Sequence, residues 1–139
     1  MTDRTNHQKY DEDHYDMIVV GSGPSGQKAA VQAAKLRKRV AVVECAPVLG
    51  GVSANTGTIP SKSFREAVLY LSGFRERSIY GSAYRVKSRI TMNDLTFRIE
   101  SIVHHENDVI ENQLSRNQIE IIRGKASLVD PHRVVIEGK

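Results

Sequence analysis

The chain has 139 residues, enough for one domain, with 40% hydrophobic and 26% charged residues, 10 Gly and 4 Pro. These values lie near the averages for soluble globular proteins and exclude collagen, a coiled coil and a wholly disordered chain. Lys and Arg outnumber Asp and Glu by 20 to 16, a modest excess that suits anionic small molecules and does not by itself imply nucleic acid.

Residues 1–14 are polar, with Asp11, Glu12 and Asp13 in a row, and read as a flexible tail without the apolar core of a signal peptide. Residues 15–139 are then the folded segment. Met17, Ile18, Val19 and Val20 form a short β-branched run ended by glycine, the pattern of a buried strand. Ser25 to Arg37 is alanine-rich and predicts a thin helix, with Lys35, Arg37, Lys38 and Arg39 at the end where the dipole favours cations. Val40 to Val43 predicts a second buried strand, closed by Glu44, so that Asp16 to Glu44 makes a βαβ unit with parallel strands and a right-handed crossover.

Ala46 to Gly57 reads as an irregular, glycine-containing loop. Ile59-Pro60 opens a helix to about Ser72, Pro being at home in a first turn, with Phe64, Ala67, Val68 and Leu71 on one face. Residues 75–90 read as basic and irregular. A long helix is expected from about Asn93 to Asn117, with Leu95, Ile99, Ile102, Val103, Val109, Ile110 and Leu114 near helical spacing and Thr91 or Asn93 as its cap. Ile119 to Ile122 predicts a strand, and Ala126 to Val129 with Arg133 to Glu137 a hairpin around Asp130-Pro131-His132. The fold class is α/β, a partial Rossmann-like domain with a parallel sheet, flanking helices and a small β hairpin.

Gly21-Ser22-Gly23-Pro24-Ser25-Gly26 fits G-x-G-x-x-G, follows a strand, opens a helix and meets Glu44 18 positions after its last glycine, which is the context a dinucleotide fingerprint demands. Gly21 permits the tight turn, Gly23 clears the approach of a pyrophosphate to the backbone, and Gly26 lets helix pack on strand. The helix N-terminus, with Pro24 and Ser25, offers free N–H groups to phosphates. Glu44 can accept from the ribose hydroxyls of an adenosine and repels a 2′-phosphate, so the site disfavours NADP. The bland alternative is a glycine turn that merely joins strand to helix.

Gly50-Gly51-Val52-Ser53-Ala54-Asn55-Thr56-Gly57-Thr58-Ile59-Pro60-Ser61-Lys62 resembles the G-G-x-C-x-N-x-G-C-x-P-S-K segment of the flavoprotein pyridine nucleotide-disulfide oxidoreductases. The form Gly-Thr-Ile-Pro-Ser-Lys, followed by Arg65-Glu66-Ala67-Val68, is most similar to the soluble, Si-specific pyridine nucleotide transhydrogenase branch. The resemblance runs from Tyr15 to the end of the chain. It implies FAD as the dinucleotide, with NAD and NADP as substrates of the intact enzyme. It carries Gly50, Gly51, Val52, Ser53, Thr58 and Lys62 over to the flavin side of the site, and Gly124 and Ala126 to a small-x-small turn near the adenosine half. The plain alternatives are a glycine-rich surface loop and a strand-linking turn. Lys62 matches the family lysine whose cation stabilises reduced, anionic flavin.

Ser53 and Thr58 stand where disulfide reductases keep two cysteines. The chain's one cysteine is Cys45, which excludes an internal disulfide and a multi-cysteine metal site and fits a reducing, cytoplasmic home. Cys45 is given no catalytic role. The resemblance therefore implies hydride transfer through flavin alone, from NADPH to FAD to NAD. Family members are much longer, with an inserted nicotinamide domain and a C-terminal dimerisation domain. The chain is expected to be a first segment, a fragment or truncated product, that binds FAD weakly or not at all alone and is inactive by itself. It is expected to leave a sheet edge and the apolar faces of two helices exposed. A homodimer or larger assembly is implied for the intact family member. Other readings are a dihydrolipoamide dehydrogenase-like flavoprotein that lost its dithiol, and a non-catalytic nucleotide-binding or partner-binding remnant.

Two weaker signals remain. His104-His105-Glu106 lacks a second histidine at the spacing of a zinc helix, Val109 standing there, and reads as solvated. The basic stretch from Arg75 to Arg89, with Tyr80 and Tyr84, has no accompanying nucleic-acid module. No run reaches the ~18 apolar residues of a membrane span. Neither a nucleic-acid nor a membrane partner is expected.

Overall fold

A computed structural model describes residues 14–81 and 89–138. In chain order its elements are β1 (Met17–Val20), α1 (Pro24–Lys35), β2 (Val40–Glu44), α2 (Gly51–Asn55), α3 (Thr58–Leu71), α4 (Phe74–Tyr80), α5 (Met92–Arg116), β3 (Glu120–Arg123), β4 (Lys125–Asp130) and β5 (Arg133–Glu137). The polar tail, save His14, and positions 82–88 of the basic stretch, with Tyr84, lie outside the described residues.

The fold is built on β2. Its five residues are all buried, the near-continuous apolar reading of a strand covered on both faces. β2 pairs in parallel with β1 on one side, Met17 opposite Val40, and with β3 on the other, Val43 opposite Ile122. Side chains alternate across a strand, so the two faces belong to different layers. Val40 and Val42 join Val19, Ala30, Val31, Ile110, Leu114 and Ile119 in the core under α1 and α5. Ala41 and Val43 join Ile122 on the opposite face, packed against Ile18 of β1 and against Ala126 and Ile136 of the β4–β5 hairpin. Burying each valine contributes about 2 kcal/mol.

Helix ends differ from the sequence expectation where the chain reverses without glycine. α1 stops at Lys35, not Arg37, because Arg37 turns left-handed (φ 60°) and the Lys38 and Arg37 N–H groups return to the Ala33 and Ala34 carbonyls at 3.2 and 2.8 Å. Gln118 (φ 56°) ends α5 in the same way, with Ile119 and Gln118 returning to Leu114 and Ser115. Both are Schellman closures, most often made by glycine. At its start α5 has a reciprocal capping box between Thr91 and Asp94.

Two further expectations need correction. The loop over 46–57 contains a helix, α2, held by side-chain bonds that local composition does not report. The stretch over 75–90 is helical through Tyr80, where α4 leans on α3 and Arg75 pairs with Glu66 at 3.6 Å. The buried residues of α3 are Ser63 and Ala67, while Phe64 and Val68 are 38 and 39% exposed. On α5, Leu95, Ile110 and Leu114 are buried but Val109 is exposed.

Candidate functional site

The glycine turn joins β1 to α1 at the C-terminal ends of the parallel strands. The Gly21 N–H donates to the Val43 carbonyl at 2.8 Å. A Cβ on Gly26 would collide with the Gly21 carbonyl oxygen and stand 3.0 Å from Val19 Cγ1, so only glycine lets the helix start this close to the strand. A Cβ on Gly23 would meet nothing within 4 Å, which leaves that backbone open to an incoming group. Pro24 is the first helical residue; no side chain caps the helix and no acidic residue stands in its first turn. The first N–H groups of a helix have no partner within it, so this end is available to an anion.

Glu44 closes β2 and lies beneath the turn. Its Oε2 accepts from the Ser22 N–H at 2.9 Å and from the Ser22 hydroxyl at 2.6 Å, and its Oε1 accepts from the Ala46 N–H at 2.9 Å. Burial works to raise this carboxyl, but the hydrogen bonds from the Ser22 hydroxyl and from the Ala46 and Ser22 N–H groups outweigh it and hold the carboxyl below its ordinary value. Glu44 is thus an anion at neutral pH. The Cys45 thiol is a fourth and weaker donor to the same carboxylate, which has about four lone-pair sites, so a ligand hydroxyl would enter by displacing the thiol.

The second glycine segment abuts the first. Gly50 and Gly51 are both left-handed, with φ 94° and 61°, and a Cβ on Gly51 would stand 3.2 Å from Gly23 Cα. The Gly50 N–H donates to the Ser22 hydroxyl oxygen at 3.0 Å. Val52 is exposed and Ser53 half-buried on α2; Thr58 opens α3, and Lys62 is exposed on its second turn. The Gly124 N–H donates to the Glu44 carbonyl at 3.1 Å, which brings the β3–β4 junction to the same strand end. Ala126 sits in β4 opposite Ile136, so the expected small-x-small turn is a turn at Gly124 and a strand at Ala126. An open cleft of about 520 Å³ lies here, lined among others by Cys45, Ala46, Pro47, Arg123 and Gly124. A second depression of about 590 Å³, between the end of α5 and β3, contains none of these residues. His104 and His105 are exposed on α5.

The sequence reading missed three polar residues. Ser22 is fully buried and occupies an unspecified position of the glycine motif. Asn55 donates to the Leu49 and Gly51 carbonyls at 2.6 and 2.9 Å, and Asn107 donates to Asn55 Oδ1 at 2.9 Å. The one advance signal was that Asn55 falls inside the quoted segment.

A family model described as FAD dependent oxidoreductase matches residues 16–134. The soluble pyridine nucleotide transhydrogenase of Mycobacterium bovis (strain BCG / Pasteur 1173P2) is 54% identical over 123 residues, 88% of this chain and 26% of that protein. The enzyme of the same name from Marinobacter nauticus (strain ATCC 700491 / DSM 11845 / VT8) is 36% identical over 134 residues, 91% of this chain and 27% of that one. The chain thus spans about a quarter of the length of the curated relatives it matches. The HOCl-induced flavoprotein disulfide reductase RclA from Escherichia coli superposes with a TM-score of 0.69 at 21% identity, over 86% of this chain and 24% of that one, a likeness of fold. A parallel strand–glycine turn–helix, an acid at the end of the second strand and a family match across most of the described residues agree: the chain belongs to the FAD dependent oxidoreductase family, as an FAD-binding oxidoreductase segment closely related to the soluble pyridine nucleotide transhydrogenases.

Proposed function

We propose that this chain supplies the FAD-binding part of a flavoenzyme that moves a hydride from NADPH to NAD, with the flavin as its only redox centre. The observation that carries the reading is the anionic Glu44 clamped under an uncapped helix start, with a second glycine segment in contact with the first. The chemistry fits the group. Gly21, Gly23, Pro24, Ser25 and Gly26 would hold the diphosphate, where the open side of Gly23 admits it. Glu44 would take a ribose hydroxyl in place of the weak Cys45 thiol donor. Gly124 and Ala126 would border the adenosine half. Gly50, Gly51, Val52, Ser53, Thr58 and Lys62 would face the flavin half.

FAD, when bound, supplies two-electron hydride acceptance and donation. The ammonium of Lys62 would favour negative charge on the reduced ring. Ser53 and Thr58 carry hydroxyls, and the chain has one cysteine, so no internal dithiol exists to relay electrons. The buried negative charge of Glu44 would disfavour a 2′-phosphate at this first site, leaving NADP(H) to another part of the enzyme. Residues 15–139 would form one nucleotide-binding unit after a polar tail, within a cytoplasmic enzyme that assembles as a homodimer or larger and has no membrane or nucleic-acid partner. Among the described residues no helix is long and apolar enough to cross a membrane.

The test is titration of the purified chain with FAD, NAD and NADP, read by melting temperature and by flavin absorbance between about 350 and 500 nm, where bound flavin absorbs and apoprotein does not. A weak, saturable rise with FAD, exceeding that with NADP, is expected of a chain that spans about a quarter of its relatives. No rise with any of the three, and no retained yellow colour, would favour the non-catalytic remnant instead.

A further inference from the structure

The Gly50–Gly51 segment adopts a conformation that its own residues do not enforce. Two consecutive left-handed residues are freely accessible to glycine but are one choice among many for it, and an unbraced glycine pair loses that geometry readily. The brace comes from the distant helix α5. Asn55 Nδ2 donates to the Leu49 and Gly51 carbonyls, 2.6 and 2.9 Å away, and so bridges both flanks of Gly50. With both N–H groups spent, Asn55 has only Oδ1 left to fix its amide. Asn107 Nδ2 donates to that oxygen at 2.9 Å and to the Val103 carbonyl of its own helix, also at 2.9 Å. Val103 is one turn back on α5, so the Asn107 amide is oriented by a rigid element. One turn further on, Ile110 packs where a Cβ on Gly50 would stand, 2.9 Å from its Cδ1. Asn107 and Ile110 thus place a polar contact and an apolar wall of one helix face against the same segment.

We infer that Asn107 is a positioning residue of the dinucleotide site. It acts through Asn55, 52 positions away, to hold Gly50 and Gly51 against Gly23. The role in cofactor binding rests on the FAD reading above; the role in holding the loop does not.

The experiment is a double-mutant cycle on the full chain with Asn55→Ala, Asn107→Leu and the pair. Asn107→Leu removes both donors while keeping much of the volume; Asn107→Asp, nearly isosteric, is the second variant in case the first fails to fold. The first readout is amide hydrogen exchange at Gly50 and Gly51, which needs no cofactor. Asn107→Leu should speed it about tenfold, with the β2 amides unchanged, and should add little once Asn55 is alanine, the non-additivity expected of groups acting as a unit. The second readout is the FAD dissociation constant, expected to rise several-fold in the same non-additive pattern. Unchanged exchange at Gly50 and Gly51, or strictly additive effects, would overturn the inference. Faster exchange in a chain that shows no FAD binding would support the loop role and favour the non-catalytic remnant over the FAD reading.

Discussion

The strand ends around Glu44 and the helical arm of α3 and α4 treat their side chains in opposite ways. At the strand ends nearly everything is enclosed. Val40 to Val43 are at most 2% exposed, Ser22 is fully buried, and the Glu44 carboxylate is hydrogen-bonded by Ser22, Ala46 and Cys45. On the arm, Tyr70, Phe74, Ile79 and Tyr80 are 66–74% exposed, and the ion pairs of Glu66 with Arg65 and Arg75 lie at the surface. The difference locates stability and preorganisation together. Polar groups that shape the glycine turn are fixed before any ligand arrives, because an unpaired polar group there would be expensive. On the arm α3 buries only Ser63 and Ala67, and α4 buries no residue.

Substitutions on the two sides should separate by several kcal/mol. The largest effect is expected at Leu114, which is fully buried between α5 and the sheet. Leu114→Ala should lower the unfolding free energy by about 3 kcal/mol, the range for a buried leucine whose cavity collapses only in part. Chemical denaturation measures it, and a loss under about 1 kcal/mol would mean that this core does not hold the fold.

Next comes Glu44→Gln, which sets an amide N–H₂ against backbone and hydroxyl donors and should cost about 2 kcal/mol at neutral pH. Its acid limb sharpens the point. A carboxyl held low in the folded chain contributes stability that is present above its ordinary value of 4.5 and disappears as pH falls through the lowered folded value. Wild type should therefore lose stability below about pH 4.5, while the Gln variant loses less. The exposed Asp16, held low chiefly by the Arg39 N–H, leaves a slope of the same sign in both. Parallel pH profiles would show that Glu44 is not the clamp.

The smallest effect belongs to the arm. Phe74→Ser, at a position 70% exposed, should change stability by less than about 0.5 kcal/mol. A loss above about 1 kcal/mol would remove the contrast between the regions.

Much of this was readable in advance, and the exceptions share a cause. Met17 to Val20, the alanine-rich helix and Val40 to Val43 announce themselves because a strand buried on both faces needs consecutive apolar residues and a helix packed on it needs small ones. The hairpin was legible from Asp130-Pro131-His132 between two β-rich runs. Phe64 and Val68 lie on the apolar face that the spacing of α3 marked, but spacing alone does not say what covers such a face, and both are exposed.

The amino-acid order alone determined the parallel βαβ unit, the glycine turn at its first junction and the acid at its second strand end. Each of these is a relation between near neighbours, set by backbone sterics and the two-residue and 3.6-residue periods of strand and helix. Only the tertiary structure decided that Gly51–Asn55 is helical, that Ser22 joins Glu44 to Gly50, and that Asn107 holds Asn55. Those bonds join residues 22, 28 and 52 positions apart. A donor and an acceptor so far apart meet only after the sheet and α5 have packed, when burial makes leaving either unpaired the costlier state.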